Sequence, residues 1–266
     1  MGFDYRSCGV LSIISQQSQD ISDGIEQSRS GIGAGDQGIM FGYACLETPE
    51  LMPAPIMYAH ALMRAHFQLR QSVSDLWPDA KSQVTCEYNN GQLVRISDVV
   101  LSSQHPEHVE LEDLRQLIKQ EIIYQVLPEH LLKDTKFHIN PAGRFVCGGP
   151  KADCGLTGRK IIVDTYGGAS RHGGGCFSGK DATKVDRSGA YMARFLAKNV
   201  VAAGLAQRCE VQIAYAIGEQ NPVSVFVDTF GTSEVSADRI VEMIMRNVDL
   251  SPQAIIERFD LNRPIY

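Results

Sequence analysis

No stretch of this 266-residue chain approaches the ~18 to 20 consecutive apolar residues that a helix needs to cross a bilayer. Its first residues, MGFDYRSCGV, lack the basic-then-apolar layout of a secretory signal, so a cytoplasmic location is expected. A myristoyl anchor is excluded as well: after Met1-Gly2 the sixth position is Arg6, where that motif takes Ser or Thr. Positive charge is in short supply. With 25 Lys and Arg against 31 Asp and Glu, the net charge is −6 and no long basic face is visible, which argues against general nucleic-acid binding and for a local anionic ligand. Seven cysteines (8, 45, 86, 147, 154, 176 and 209) include no C-x-x-C pair. That scatter fits reduced thiols rather than a zinc site or disulfide framework, with Cys154 and Cys176 as small apolar filler. At 44% hydrophobic and 21% charged, the chain has core material for one large domain or two to three small ones.

What is present in abundance is glycine beside cations, concentrated in Gly155 to Tyr191. Arg159 and Lys160 precede Ile161-Ile162-Val163, a short apolar run that reads as a buried strand. A loop follows in which Gly167, Gly168, Gly173, Gly174, Gly175 and Gly179 let backbone N–H groups approach an anion, with Lys180 and Lys184 supplying charge. Asp186 then opens a helix. Gly174 to Lys180 fits the first seven positions of G-x-x-x-x-G-K-[ST], but Asp181 stands where Ser or Thr would coordinate magnesium. His172 is a candidate phosphate donor, and Asp153, Asp164, Asp181 and Asp186 are candidates for a cation or a ligand ammonium; any one of them is equally a cap or salt-bridge partner.

Elsewhere, Val10 to Ile14 is strand-like, and the polar stretch 16 to 32 reads as a long loop, either a functional lid or disordered. Gly33-Ala34-Gly35-Asp36-Gln37-Gly38 matches G-x-G-x-x-G, but a polar loop precedes it and a strand-like segment follows, the reverse of the dinucleotide-binding context. It is expected to be a tight turn that projects Asp36. From residue 51 an internal repeat emerges. Helix 55 to 70, strand 82 to 88, turn Asn89-Asn90-Gly91, strand 93 to 102 and helix 111 to 126 are echoed by helix 186 to 206, strand 210 to 217, a turn at 218 to 222, strand 224 to 230 and helix 237 to 248. Two α-β-β-α units predict an α+β fold of repeated two-layer units, whose apolar sheet faces must be covered by each other or by a second subunit. The connector 134 to 160 mixes Gly and Pro with Arg144, Phe145, Lys151 and Asp153, too much chemistry for a plain linker.

At these residues the chain resembles the S-adenosylmethionine synthetases, or methionine adenosyltransferases. The motifs are GAGDQG at 33 to 38, DAKSQVT at 79 to 85, GRFV at 143 to 146, GLTGRKIIVDTYGG at 155 to 168, HGGG-x-FSGKD at 172 to 181 and KVDRS at 184 to 188. The resemblance implies ATP contacts at Asp79, Ala80, Lys81, Arg144 and Phe145, at Arg159 and Lys160, and at Lys180 on the triphosphate. It implies methionine contacts at Gln17, Asp36 and Lys184, a residue touching both substrates at Asp153, and a magnesium-associated carboxylate at Asp186. Cys176 occupies a position usually held by alanine whose backbone faces ATP. Lys81, Arg159, Lys160 and Lys180 carry the catalytic roles. Magnesium and potassium are the implied ions. ATP and L-methionine are the implied substrates, with no nucleic acid or membrane partner, and the implied assembly is a homodimer or dimer of dimers with active sites between subunits.

The family fold has three related domains. The expectation here is a remnant of the first with the lid loop at 1–32, a central domain at 33–149 and an incomplete C-terminal domain at 150–266. Members usually begin several dozen residues earlier, with a His-Pro-Asp-Lys segment and two glutamates, so this sequence reads as a fragment or a mis-started gene product. Smaller departures are Gln19, where proline is common, and Ala152, where glycine is. Either the synthetase itself or a truncated nucleotide-binding or regulatory chain of the same family fits this reading.

Overall fold

The computed structural model describes residues 4–20 and 31–264. Much of the loop expected at 16 to 32 therefore lies outside the described residues, as do the last two positions. Strands in chain order are β1 (Gly38–Cys45), β2 (Ala80–Asn89), β3 (Gln92–Ser103), β4 (Lys136–Ile139), β5 (Arg208–Tyr215) and β6 (Ser224–Asp228). The principal helices are α1 (Ala54–Leu69), α2 (Leu111–Ile118), α3 (Val185–Ala202), α4 (Ala237–Asn247) and α5 (Pro252–Phe259). They divide into two compact units, one holding the segment to Ser12 with Ala54–Gly155, the other Ile13–Pro53 with Leu156 onward. The class is α+β.

In the first unit, β2 and β3 form the expected hairpin. Asn90 and Gly91, at φ 50° and 78°, supply the two left-handed residues that a tight primed turn needs. The strand order is β2-β3-β4, with β4 parallel to β3. That third strand was not foreseen. Lys136–Ile139 has only four residues, and its extended shape comes from pairing Asp98 to Leu101 rather than from any pattern of its own. Val84, Ile96, Val99 and Leu101 pack with Leu62 of α1 and with Leu114 and Ile118 of α2. A π turn, Lys119–Ile123, extends α2. Its extra residue per turn turns both Ile122 and Ile123 into the core. The opposite face of β2 is Lys81, Gln83, Thr85 and Glu87, all exposed. The expected apolar second face is therefore absent on this strand.

In the second unit the order is β1-β5-β6, wholly antiparallel, with Gly38 opposite Tyr215 and Cys45 opposite Arg208. Helix α3 lies on this sheet through small residues. Gly189 meets Met40 and Tyr215, and a side chain on Gly42 would overlap the Ala193 backbone. Beyond it sit Leu196, Val200, Ile240 of α4 and Ile255 of α5. Helix α5 was also missed, although Ser251-Pro252 is an N-terminal signal: Ser251 Oγ accepts from the Ala254 N–H at 3.3 Å.

Two expected strands do not form. Residues 10 to 14 have no regular structure and their apolar side chains are exposed. Ile161 to Val163 lies in successive turns, with Ile162 and Val163 exposed at 41% and 48%. The chain closes on itself there: Asp164 N donates to Lys160 O, Thr165 Oγ1 to Ile161 O and Gly167 N to Ile162 O. Carbonyls satisfied so locally are not available to a strand partner. No helix among the described residues is long and apolar enough to cross a membrane.

The β1 to α3 contact leaves no room for a methyl group. Gly42→Ala is expected to lower unfolding stability by about 3 kcal/mol, the upper end for overpacking. Gly155→Ala, which meets nothing within 4 Å, is its control. Equal denaturant midpoints for the two variants would refute the close-approach account.

Candidate functional site

The loop from Leu156 to Lys184 has no regular strand or helix, yet several of its glycines are fixed by steric demand. A side chain on Gly173 would overlap the Ile39 carbonyl, and one on Gly175 would overlap the Asp186 carboxylate. At Gly158, with φ 77°, a Cβ would lie 2.7 Å from Cys176 Sγ. These three glycines let the loop lie against β1, Asp186 and its own chain. These close approaches by themselves account for glycine at 173 and 175. Within GAGDQG, Gly35 meets the Thr183 carbonyl and Gly33 that of Gly218. The Ala34 amide donates to Glu219 O, and Gly218 N to Ala34 O, both at 2.8 Å. The motif is a tight backbone crossing that leaves Asp36 half-exposed, its Oδ1 accepting from Gln37 N at 2.8 Å.

A buried acid holds the loop down. Glu210 of β5 is 1% exposed and accepts hydrogen bonds from Ser170 Oγ at 2.9 Å, Arg171 N at 3.0 Å, Arg171 Nη1 at 2.7 Å and Gln212 Nε2 at 3.0 Å. Burial on its own would raise the Glu210 pKa, but these donors prevail and hold it below the usual carboxylate range. A second clamp is Tyr166, edge-on to Tyr43 at 5.8 Å, with Arg194 4.8 Å over its ring and the Arg194 Nε–H on its hydroxyl. Neither was picked out from sequence. Alternation gave no signal for Glu210: Cys209, Val211 and Ile213 face the core, so Glu210 falls on the other face of β5, where a charge is ordinary, and its burial there comes from the loop laid over it.

On this support sits an ion pair. Lys180 Nζ donates to Asp186 Oδ2, and both side chains are largely covered. Burial acts against the Lys180 charge, but the hydrogen bond and charge of Asp186, with Cys176 and Asp36, outweigh it and raise the pKa. Arg187 Nη1 fixes the Lys180 carbonyl at 2.6 Å. His172 Nδ1 accepts from Gly174 N at 2.8 Å, which leaves the proton of the neutral ring on Nε2. Partial burial lowers the His172 pKa against the pull of Asp186 and Asp164, so the ring is neutral near pH 7. Phe41, Arg171, His172, Phe177 and Asp186 line a small cleft here. Asp181 instead caps its own turn through Thr183 N at 2.8 Å. Cys176 is half-buried against Gly158, Lys184 is the half-buried residue preceding α3, and Arg159 and Lys160 are exposed. Gln17 is exposed in a segment without regular structure.

The first unit holds the other candidates. Asp79 Oδ2 accepts from Gly149 N at 2.7 Å, and Gly149 O in turn accepts from Asp153 N at 3.1 Å. Ala80 and Lys81 begin β2, with Lys81 exposed. Arg144 Nη2 donates to Glu107 O at 2.7 Å, and Phe145 N donates to His105 Nε2 at 3.1 Å. For cations, no group of three or more His, Cys, Asp or Glu able to hold a metal exists among the described residues. Asp186 fits magnesium only in that ion's usual manner, as one carboxylate completing a set of substrate phosphates and water.

Because the native Glu210 pKa is depressed, its stabilisation is complete above the unfolded value of about 4.3 and is lost as pH falls through the lower native value. Glu210→Gln is expected to cost about 1.5 to 3 kcal/mol at pH 7, where it removes a charged acceptor. The difference from wild type should shrink as the pH of a denaturant titration drops below about 4. A loss independent of pH would show that the charge is irrelevant.

Residues 31–145 match the S-adenosylmethionine synthetase central domain, and residues 147–266 match the S-adenosylmethionine synthetase C-terminal domain. With nearly the whole described chain covered by these two matches, it belongs to the S-adenosylmethionine synthetase family.

Proposed function

We propose that the chain forms S-adenosylmethionine from ATP and L-methionine, releasing pyrophosphate and phosphate. The observation that carries this reading is the covered pair of Lys180 in the loop and Asp186 at the start of α3, with His172 Nε2–H and the exposed Arg159 and Lys160 on the same loop. In the reaction the methionine sulfur bonds to C5′ of ATP as the C5′–O bond breaks, and the intact triphosphate leaves with the electron pair. Water then splits the triphosphate. A thioether has no proton to lose, so the first step needs no general base. It needs orientation and stabilisation of a highly anionic leaving group.

Lys180 suits that need. With its pKa raised it stays charged, and in exchanging Asp186 for a phosphate oxygen it keeps an anionic partner throughout. Asp186 is the carboxylate that would hold a magnesium ion, which would further neutralise phosphate charge. Arg159 and Lys160 add cations on the same unit. Asp79, Ala80, Lys81, Arg144 and Phe145 serve the nucleotide, Gln17, Asp36 and Lys184 the methionine, and Asp153 both. Self-association as a homodimer or pair of dimers belongs to the same reading. Exposed Phe226 and Val223, in and just before edge strand β6, support it as apolar groups that a second copy would cover.

Incubation with ATP, methionine, magnesium and potassium is expected to yield S-adenosylmethionine, with pyrophosphate and phosphate released only when methionine is present. Lys180→Ala should lower kcat by roughly 10² to 10³, the usual effect of losing one charge-stabilising donor, with Lys180→Arg intermediate. Saturable ATP binding with no product would overturn the reading in favour of a nucleotide-binding chain without turnover.

A further inference from the structure

Gln104 and His105 are adjacent residues that the reading above leaves without a role, yet both are 0% exposed and their bonds converge on the first unit's nucleotide candidates. The Gln104 backbone pairs with the segment entering β2: its N–H donates to Asp79 O, and its carbonyl accepts from Trp77 N, each at 2.8 Å. The Gln104 side chain reaches the opposite way, Nε2 donating to Val146 O at 3.0 Å. His105 adds two bonds to the same stretch, its N–H to Phe145 O at 3.0 Å and its Nε2 accepting from Phe145 N at 3.1 Å. The ring's tautomer is set because Nδ1 lies 2.9 Å from the Pro106 carbonyl and must carry the proton. Two residues thus tie Asp79 on one side to Phe145 and Val146 on the other.

One atom is out of place for a purely structural glutamine. Gln104 Oε1 is the only buried side-chain polar atom without a partner among the described residues. Turning the amide over would not help, since Oε1 would then face the Val146 carbonyl. An unpaired buried acceptor opposes folding, so an apolar side chain of the same shape would serve stability as well. What such a residue would lose is the hold on Val146. Close packing enforces the same register, because a side chain on Gly148 would come within 2.7 Å of Gln104 Cδ and 2.9 Å of the Phe145 ring.

We infer that Gln104 and His105 are positioning residues: they set the distance between Asp79-Ala80-Lys81 and Arg144-Phe145 so that both segments meet one nucleotide. This role rests on the function proposed above. Gln104→Met removes the Nε2 donor and the orphan acceptor together. His105→Leu removes the acceptor from Phe145 N, and His105→Gln returns an acceptor at the reach of Nε2. Gln104→Met is expected to melt close to wild type while its KM for ATP rises about tenfold and its KM for methionine stays within about twofold. His105→Leu should show the same selective rise, and His105→Gln should recover most of it. A lowered melting temperature with both KM values unchanged, or an equal rise for both substrates, would overturn the inference. So would a His105→Gln no better than His105→Leu. If the wild-type chain itself shows no saturable response to ATP, the proposed function falls and this role with it. A wild-type response shared by all three variants removes the positioning role alone.

Discussion

The second unit depends on one buried carboxylate. Glu210 sits in the middle strand of β1-β5-β6 with almost no exposure, and it is stable as an anion only because Ser170, Arg171 and Gln212 turn four donors onto it. A buried charge without that set would be far too unfavourable to retain. The dependence runs both ways. A loop lacking helix or strand has few backbone bonds to hold it, and satisfaction of Glu210 fixes residues 170 and 171. The glycines at 173 and 175 can then lie directly on β1 and Asp186. The tyrosine and arginine clamp at Tyr166 and Arg194 fixes the same loop a few residues earlier.

A loop held this firmly can present charge in a defined place. Lys180 and Asp186 are close enough for each to neutralise the other, and they are partly withdrawn from water, where such a pair is stronger than at the surface. An anion entering there meets a lysine that is already desolvated and already oriented, and it meets a carboxylate that can change partners instead of repelling it. This distinguishes the proposed leaving-group site from a generic patch of surface lysines, whose charges would be screened and whose side chains would have to be ordered on binding.

In the first unit, the nucleotide candidates Asp79 to Lys81 and Arg144 to Phe145 are far apart in sequence; the first segment enters β2, and the second has no regular structure. Their proximity comes from the two-residue bridge at the end of β3 and from Asp79 accepting the Gly149 N–H. A hairpin with covering helices thus provides a stiff platform, and a few side-chain to backbone bonds at its end extend that stiffness to irregular segments.

The sequence alone determined the hairpins, because Asn-Asn-Gly between alternating segments has few other backbone solutions. It determined four of the five principal helices and, through six motifs, the family. Local pattern failed where satisfaction was non-local. Lys136–Ile139 is a strand only because β3 lies beside it, whereas Ile161 to Val163 has a strand's composition but closes its own carbonyls in turns. A glycine run beside lysines is the same string whether its N–H groups face an anion or its missing side chains admit a neighbouring backbone. Only the tertiary structure shows that Gly173 makes room for the Ile39 carbonyl and Gly175 for the Asp186 carboxylate. It also decided that Glu210, in β5, and Gln104, just past the end of β3, hold neighbouring loops in place, since burial and partners from distant segments appear in no local window of sequence.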